Sequence, residues 1–383
     1  MRPITTFVRH NSIKAILAAE KGLKAVSNGK IGKNLFDIEP KFIGTDVRII
    51  KETDDSTFIA KCDTNGRIVN KPFKILVTTD LHLCDDKELI NKSLFMLAKH
   101  VEAEKPDLIL FTGDVVLTDH QQVDCIQFGI FMEKMGIYWA YVFGNHEARA
   151  EKEYHKYFML KNLISFPHCL SKFGDPSLFG YGNFFINILS SPTSIQQSIV
   201  MLDSGRNTSP THNIENDAPA ELKCYDFLKK DQIDWYRKTI LDLEKEYGKF
   251  KSIMAMHIAL CEYEKVMQLD ENGNYIPTGK AEILYGEMHE SIGCSEFNSG
   301  MFDVIKELGT TQAVIVGHDH INDFCAKYDG IYLVYAQCDG YNTYTMGSNF
   351  GWDEKDWMQG VTMIDIDKEG KIVFRQRFNR DYL

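Results

Sequence analysis

The sequence has no pattern of paired cysteines and no long apolar run. Its nine cysteines are odd in number and scattered, with no CxxC pair and no zinc-finger spacing. Such a set argues against a disulfide framework and favours reduced thiols. No apolar stretch approaches the ~20 residues that a transmembrane helix needs, and no secretory leader is recognisable. We therefore expect a cytoplasmic protein without a transmembrane segment.

The sequence is also poor in positive charge. Its 43 Lys and Arg residues face 54 Asp and Glu residues, which gives a formal net charge of -11. Because nucleic acids are polyanions, a chain this acidic is not expected to form a stable complex with them. The 44% of hydrophobic residues among 383 positions is typical of a globular protein. A chain of this length can bury a sizeable core, in one large α/β domain or in two domains.

The N-terminal part differs in pattern from the rest. Residues 1–36 carry seven Lys or Arg residues against a single acid, Glu20, and apolar residues at helical spacing predict a short amphipathic helix. Such a helix could make weak contact with a membrane or a partner, or it could pack on the domain or fray. In the strand-like pattern that follows, Asn65-Gly66 predicts a hairpin. We expect 1–71 to be a basic arm with a β-hairpin appendage that adds to a sheet edge or caps the main domain.

After this appendage, strand-like and helix-like patterns alternate. Apolar residues at 73–79 are followed by a helical pattern that begins with a capping-box-like pair, Asp85 and Glu88. Repeated units of this kind predict crossover connections and a largely parallel sheet at the centre of an α/β fold. The long segment 263–293 has little periodicity, and connections of that length are uncommon unless they are functional. We expect it to lie over a pocket.

Five of the predicted strands end in side chains that can bind metal ions. Parallel strands bring their carboxyl ends to one edge, so these side chains are expected to converge. Side chains two apart in an extended segment point the same way, as in the pair His318 and His320. Each residue alone could be a cap, a turn residue or a core histidine, but five such coincidences at successive strand ends are improbable. The set is Asp80, His82, Asp114, Asn145, His257, His318 and His320.

The number and type of these donors indicate two metal ions. Seven nitrogen and oxygen donors without a thiolate are too many for one tetrahedral zinc ion. They suit two ions of higher coordination number that share a carboxylate, with water completing the shells. The expected cofactors are two divalent metal ions, and the donor set does not choose among Mn, Fe, Zn, Co and Mg.

In this order, the motifs DLH, GD, GNHE, a lone His and GHDH resemble those of the calcineurin-like metallophosphoesterase superfamily. The resemblance covers residues 80–320. It implies a four-layer α/β/β/α sandwich, with two mixed sheets flanked by helices, for a catalytic domain at 72–383. It also implies that His146 is the catalytic histidine, which contacts the phosphoryl oxygens. One metal would then be held by Asp80, His82, Asp114 and His320, and the second by Asp114, Asn145, His257 and His318, with Asp114 bridging.

The C-terminal third is most similar to the single-domain branch related to purple acid phosphatases. The similar segments include Asn298-Ser299-Gly300, residues 316–324 and Asp339-Gly340-Tyr341. Purple acid phosphatases place a metal-binding tyrosine three residues after the bridging aspartate, where this sequence has Leu117. Two divalent ions are therefore expected instead of an iron(III)–tyrosinate centre.

The resemblance implies hydrolysis of phosphoesters by a hydroxide that the two metals activate. His146, beside a carboxylate such as Asp119 or Glu147, would stabilise the oxyanion or protonate the leaving group. Tyr and Trp residues in 263–293 and 339–357 are expected to cover the site, which favours a small organic phosphate or a nucleotide as substrate. The alternatives are a phosphodiesterase, a protein phosphatase and a non-catalytic metal-binding scaffold. The presence of all seven ligands and His146 disfavours the scaffold.

Overall fold

Two mixed β-sheets, stacked face to face, form the centre of the molecule. Their inner faces share one apolar cluster, to which Ile75 and Val77 of one sheet and Ile253 and Ile315 of the other contribute. Helices cover the outer faces, so the prediction of two mixed sheets flanked by helices is confirmed. The computed structural model describes residues 37–84, 86–118, 121–147 and 154–383; the predicted basic arm at 1–36, Asp85 and Asp119 lie outside these ranges.

The strands in the described part of the chain are short. Several, such as β4 and β8 below, are buried along their whole length because side chains cover both of their faces. In chain order the strands are β1 (Val47–Glu52), β2 (Ser56–Lys61), β3 (Phe73–Thr78), β4 (Leu108–Phe111), β5 (Tyr138–Tyr141), β6 (Phe184–Ser191), β7 (Ser194–Met201), β8 (Ser252–Ala255), β9 (Met267–Leu269), β10 (Tyr275–Pro277), β11 (Glu282–Tyr285), β12 (Thr311–Val316), β13 (Cys325–Tyr328), β14 (Ile331–Tyr335), β15 (Gly360–Ile366) and β16 (Ile372–Phe378).

The larger sheet has nine strands in the order β1-β2-β6-β7-β8-β12-β14-β13-β11. Its central strands β7, β8, β12 and β14 run parallel to one another, and antiparallel pairs lie at both edges. The smaller sheet has the order β16-β15-β3-β4-β5, with β3, β4 and β5 parallel. Strands β9 and β10 form a separate hairpin. The parallel centre that the strand–helix alternation predicts is thus divided between two sheets.

Helices pack on the outer face of each sheet. The first one begins at Asp86, whose side chain accepts hydrogen bonds from the backbone N–H groups of Glu88 and Leu89. The cap is therefore one residue later than the predicted Asp85. None of the helices in the described ranges is long and apolar enough to cross a membrane. They are α1 (Lys87–Glu104), α2 (Gln121–Met135), α3 (Tyr154–Leu163), α4 (Pro210–Glu215), α5 (Lys230–Tyr247), α6 (Met301–Leu308) and α7 (Met346–Phe350), with 3-10 turns at Cys261–Lys265, Glu354–Asp356 and Asn379–Tyr382.

The alternation of side chains along a strand divides the core into layers. In β12, Ala313 and Ile315 face the other sheet, whereas Val314 and Val316 face the outer layer that contains α5 and α6. All four are fully buried. Each apolar side chain of this kind stabilises the fold by about 1.5–3 kcal/mol. Burial on both faces fixes the register of β12 and therefore the position of the chain that leaves its end.

The N-terminal hairpin joins the larger sheet. Strands β1 and β2 pair antiparallel, and β2 pairs parallel with β6, so this segment forms the edge of the nine-stranded sheet. The turn at Asn65-Gly66 follows β2, and Gly66 has a φ of 77° that favours glycine. The division of the chain between 1–71 and 72–383 stays a prediction.

Two stretches without clear periodicity contain short regular elements. The polar stretch 204–224 includes α4, which Ser209 caps and which begins with Pro210. The segment 263–293 includes the β9–β10 hairpin and the edge strand β11. Residues from both stretches line the cavity at the candidate site: Asn207, Lys223 and Cys224 from the first and residues 290–293 from the second.

Candidate metal centre and active site

The seven predicted donors converge where five strands end. Strands β3, β4 and β5 of the smaller sheet and strands β8 and β12 of the larger sheet each lead directly into one or two of them. The common edge therefore spans two stacked sheets. With the exception of His318, the seven donor residues are almost completely buried.

Four of the donors adopt a left-handed backbone conformation. The φ angles are 54° at Asp80, 44° at His82, 51° at Asp114 and 80° at His318. Few non-glycine residues adopt this conformation, although Asp and His do so more often than most. Each of these residues lies in the turn that follows a strand, and its side chain belongs to one of two groups of donor atoms. Strained backbone of this kind is concentrated at functional sites.

Asp80, His82 and His320 form a first cluster of donor atoms. Asp80 Oδ1 lies 3.4 Å from His82 Nε2 and 3.5 Å from His320 Nε2, and the two Nε2 atoms are 3.1 Å apart. The other oxygen of Asp80 is fixed by the hydroxyl of Thr79 at 2.7 Å and by the backbone N–H of His318 at 2.9 Å. Asp80 Oδ1 is buried without a hydrogen-bond donor. A cation among these three side chains would satisfy it.

Asp114, His257 and His318 form a second cluster. His257 Nε2 lies 3.3 Å from Asp114 Oδ2 and 2.9 Å from Asn145 Oδ1. The Nδ1–H group of His257 donates to the Thr112 carbonyl at 2.8 Å, so its Nε2 is the atom available to a metal. In each cluster, the donor atoms of three residues lie within 4.8 Å of one another.

Charges within the site shift the pKa values of its histidines. Burial lowers the pKa of His257, but the carboxylates of Asp114 and Asp80 outweigh this effect and raise it to about 10. Burial and the charge on His257 lower the pKa of His318 to about 3. A divalent cation would compete with the proton on His257 for the same Nε2 atom, whereas neutral His318 is ready to act as a ligand.

Asp114, a member of the second cluster, also lies close to the first. Its Oδ2 atom is 3.3 Å from His257 Nε2, 3.7 Å from His82 Nε2 and 3.8 Å from His146 Nε2. Its Oδ1 atom accepts a hydrogen bond from the backbone N–H of His146 at 2.8 Å. This position is suitable for a bridging ligand, which is the role expected for Asp114. The donors therefore form two groups that fit two cations; which ion each residue binds stays a prediction.

Asp319, between the two histidines of GHDH, lies outside both clusters. Its carboxylate accepts hydrogen bonds from the backbone N–H of Gly293 and from the side-chain amide of Asn322. Burial raises its pKa to about 7. Its contacts hold the segment that ends at Gly293 against the strand end.

His146 lies at the open side of the site. Its side chain is 34% exposed, compared with 1% for Asp114, and its ring contacts the ring of His82 edge to face. It can therefore reach both the donor clusters and a substrate in the pocket. Its suggested partner Asp119 lies outside the described residues.

Glu147 has a role that the sequence did not suggest. Its fully buried carboxylate accepts hydrogen bonds from the backbone N–H groups of Asp114 (3.0 Å), Val115 (2.7 Å) and Gly144 (2.7 Å), and from the hydroxyl of Tyr141. Burial and the nearby charge of Asp114 raise the pKa of Glu147, and these donors oppose the rise. Glu147 thus ties together the turns after β4 and β5. Its adjacency to His146 in GNHE was the only signal in the sequence, and it suggested a partner for His146 instead.

The donor clusters form the floor of a cavity of about 720 Å³. The ring of Tyr225 meets His318 edge to face at 4.4 Å, and the ring of Tyr344 stacks on His320 at 4.1 Å. Tyr344 comes from one of the two aromatic segments that were expected to cover the site, whereas Tyr225 was not anticipated. Tyr263 instead lies in the core, where its hydroxyl donates to the Val314 carbonyl. Other residues that line the cavity are Asn207, Lys223, Cys224, Glu290, Ser291, Ile292, Gly293, Cys294, Glu296 and Thr343.

The sequence is similar to several known proteins. The family model described as calcineurin-like phosphoesterase matches residues 73–322. Among curated proteins, the chain is similar to probable inactive purple acid phosphatase 29 of Arabidopsis thaliana, with 26% identity over 79% of each chain. It is also similar to probable inactive purple acid phosphatase 14 of the same plant, with 28% identity over 80% of this chain and 77% of the relative. Phosphatase DCR2 of Saccharomyces cerevisiae is 26% identical over 69% of this chain and 47% of its own length.

Similar folds occur among solved structures. A dimetal phosphatase from Danio rerio has a TM-score of 0.49 and 12% identity, over 80% of this chain and 96% of that chain. GAP50, the anchor in the inner membrane complex of Plasmodium, has a TM-score of 0.46 and 12% identity, over 81% of this chain and 85% of that chain.

Proposed function

Because this chain belongs to the calcineurin-like phosphoesterase family, we propose that it hydrolyses small organic phosphomonoesters, including nucleotides, at a site that holds two divalent metal ions. The observation that carries the proposal is the position of Asp114, one oxygen of which faces imidazole nitrogens from three different loops. Asp114 belongs to one compact group of donors, and the same oxygen lies 3.7 Å from His82 of the other group.

The proposed ligands divide between the two ions. The first ion would be held by Asp80, His82, Asp114 and His320, and the second by Asp114, Asn145, His257 and His318. When bound, such ions polarise phosphoryl oxygens and lower the pKa of a water molecule, which becomes the nucleophile. The buried oxygen of Asp80 that has no hydrogen-bond donor supports this assignment.

His146 would act on the substrate itself. Asp114 fixes its backbone, and its partly exposed ring reaches into the cavity. A protonated imidazole there can donate to a phosphoryl oxygen or give its proton to the leaving alkoxide. Lys223 on the cavity wall adds a positive charge that favours a phosphate anion. Tyr225 and Tyr344 offer flat surfaces to an organic leaving group.

The size of the cavity supports a small substrate. Its volume of about 720 Å³ lies within the range of roughly 300–1,000 Å³ that is usual for small-molecule sites. A phosphorylated protein would need a more extended surface. The second candidate is a non-catalytic metal-binding protein, which the names of the Arabidopsis relatives favour.

Hydrolysis of p-nitrophenyl phosphate by the full chain, compared with bis(p-nitrophenyl) phosphate, tests the proposal. We expect Mn(II) to activate hydrolysis of the monoester, a chelator to abolish it, and His146→Ala to lower kcat by about 10²- to 10⁴-fold while both ions stay bound. His289→Ala is the control, because that partly exposed ring contacts Phe350 and Trp352 and does not line the cavity. Two bound ions without turnover of either ester would favour the non-catalytic protein, and a chain that binds no ion would refute the proposal.

A further inference from the structure

Three partly exposed cysteines surround Ser295 at the wall of the cavity. The thiol of Cys261 donates to the Ser295 carbonyl at 3.2 Å, and the thiol of Cys224 lies 3.4 Å from the Ser295 hydroxyl. Cys294 is the adjacent residue in the chain. All nine cysteines are free, and only Cys84 and Cys169 share this intermediate exposure elsewhere in the chain. The partly exposed thiols are therefore concentrated at one place.

Two of these cysteines lie beside the same backbone segment. The thiol of Cys261 donates to the carbonyl of Ser295, which directly follows Cys294, and a parallel β-bridge between Ala259 and Cys294 holds the two segments together. The neighbouring side chain of Cys294 lowers the pKa of Cys261, whereas Cys261 and burial raise the pKa of Cys294. Because the thiolate is the reactive form, Cys261 is the better nucleophile of the pair.

The arrangement suits reaction between two thiols better than metal binding. In the described part of the chain, the groups of His, Cys, Asp and Glu whose donor atoms are close enough to share an ion are the two clusters of the candidate metal centre, and neither contains a cysteine. A tetrahedral thiolate site needs three or four convergent ligands. A disulfide needs only two cysteines whose Cα atoms lie about 4.4–6.8 Å apart.

Cys294 is connected to the candidate metal centre through one residue. The backbone N–H of Gly293 donates to both oxygens of Asp319, at 3.2 Å and 3.1 Å. The same glycine lies against the ring of His318, so closely that a Cβ atom at this position would be 2.5 Å from His318 Cδ2. Movement of Cys294 would therefore displace a neighbour that is packed on a proposed ligand.

We propose that Cys261 and Cys294 form a thiol–disulfide site that controls the cavity beside it. The Cys261 thiolate attacks one sulfur of a low-molecular-weight disulfide such as oxidised glutathione, whose S–S bond breaks as a mixed disulfide forms and one glutathione thiolate leaves. Cys294 loses its proton to solvent and attacks the sulfur of Cys261, which displaces the second glutathione. The two protein thiols lose two electrons and two protons, and oxidised glutathione gains them as two molecules of glutathione.

The disulfide shortens the separation of the two sulfurs to about 2 Å. We expect this change to move Gly293 and the ring of His318 and to lower the rate of hydrolysis in the cavity. Cys224 lies beside the pair and competes with Cys294 for the mixed disulfide. The proposal therefore specifies a disulfide between Cys261 and Cys294 and excludes one that involves Cys224.

Peptide mapping of the full chain after treatment with oxidised glutathione tests the chemistry directly. We expect a linked peptide that contains Cys261 and Cys294, with Cys169 still available to an alkylating agent after denaturation as an internal control. Dithiothreitol should restore both thiols. A link from Cys224 to either cysteine, a stable mixed disulfide at Cys261, or equal reactivity of Cys261 and Cys169 would overturn the proposal.

Turnover of p-nitrophenyl phosphate tests the control of the cavity, and this readout rests on the proposed function. We expect the oxidised chain to be slower by about tenfold to a hundredfold, because a displacement of about 1 Å in an active site has that effect. Cys261→Ser, which lies outside the cavity, should keep the rate of the reduced chain and lose the response to oxidised glutathione. A linked peptide with unchanged turnover would refute control of the cavity. If the reduced chain has no turnover, the proposed function fails, whereas the thiol chemistry still stands or falls on the peptide map.

Discussion

Replacement of Glu147 by Gln should dismantle the candidate metal centre without touching a proposed ligand. The substitution keeps the shape of the side chain and replaces one carboxylate oxygen by an NH₂ group. In the native chain, one oxygen accepts from the backbone N–H groups of Asp114 and Gly144, and the other accepts from the backbone N–H groups of Val115 and Val116 and from the hydroxyl of Tyr141. The amide oxygen of Gln can serve only one of these two sets.

The loss of stability follows from the hydrogen-bond donors that lose their acceptor. Two backbone N–H groups would face an NH₂ group, and each buried donor left without an acceptor costs about 1–3 kcal/mol. We therefore expect Glu147→Gln to lower the free energy of unfolding by about 2–6 kcal/mol, which is a large part of the stability of a typical protein. Because the lost bonds hold the turns that carry Asp114 and Asn145, the affinity for both metal ions should fall as well.

Urea unfolding and metal analysis of the purified variant measure these two effects. Glu133→Gln is a matched control, since Glu133 is also a largely buried carboxylate, with a side chain that is 7% exposed, and accepts from the backbone and ring of His168, but it lies outside the cavity. The control should lose stability and keep both ions. A Glu147→Gln variant that unfolds within about 0.5 kcal/mol of the wild type and binds two ions would refute the positioning role of Glu147.

Three further predictions concern the bridge, an ion-pair cluster and the core. Asp114→Asn should lose both metal ions, and elemental analysis that still finds two ions per chain would contradict the bridging role. Burial raises the pKa of Glu104, but hydrogen bonds from Arg377 and Arg375 outweigh it and hold the pKa at about 2, below the ordinary 4.5. Glu104→Gln should therefore be about 1 kcal/mol less stable at neutral pH, and unfolding curves of the two chains should converge as the pH falls from about 4.5 to about 2. Ile315→Ala should cost about 2–5 kcal/mol in urea unfolding because it opens a cavity between the sheets; a loss below about 0.5 kcal/mol would mean that the site repacks.

Local sequence patterns were sufficient to find the strands that carry the site. Strands β4, β8 and β12 are short apolar runs, because both of their faces are covered, and such runs stand out against polar turns. Their partners could not be found in this way. Strand β15 lies beside β3 although almost three hundred residues separate them, and nothing in either pattern specifies the other. The edge strand β11 is largely exposed, so it has no apolar pattern that would distinguish it from a loop.

The proposed ligands were predictable for a related reason. Each of them follows a recognisable strand directly, so its position depends on a local signal and one general rule about strand ends. The supporting contacts depend on pairs that are far apart in the chain. Glu147 reaches the backbone of Asp114, Tyr225 contacts His318, and the thiol of Cys261 contacts the backbone of Ser295. No spacing or periodicity encodes such pairs, and only the folded chain reveals them.

The left-handed backbone at Asp80, His82, Asp114 and His318 has a consequence for how this chain can change. Each such residue costs of order 1–3 kcal/mol compared with an unstrained one, so glycine at any of these positions would relax the turn while it removes a donor. Mutations that stabilise the protein and mutations that destroy the site therefore coincide at these positions. Selection of random variants for heat resistance alone should enrich such glycines, whereas selection that also requires metal binding should exclude them. The residues found at these four positions would therefore show whether the variants were selected for metal binding or for stability alone.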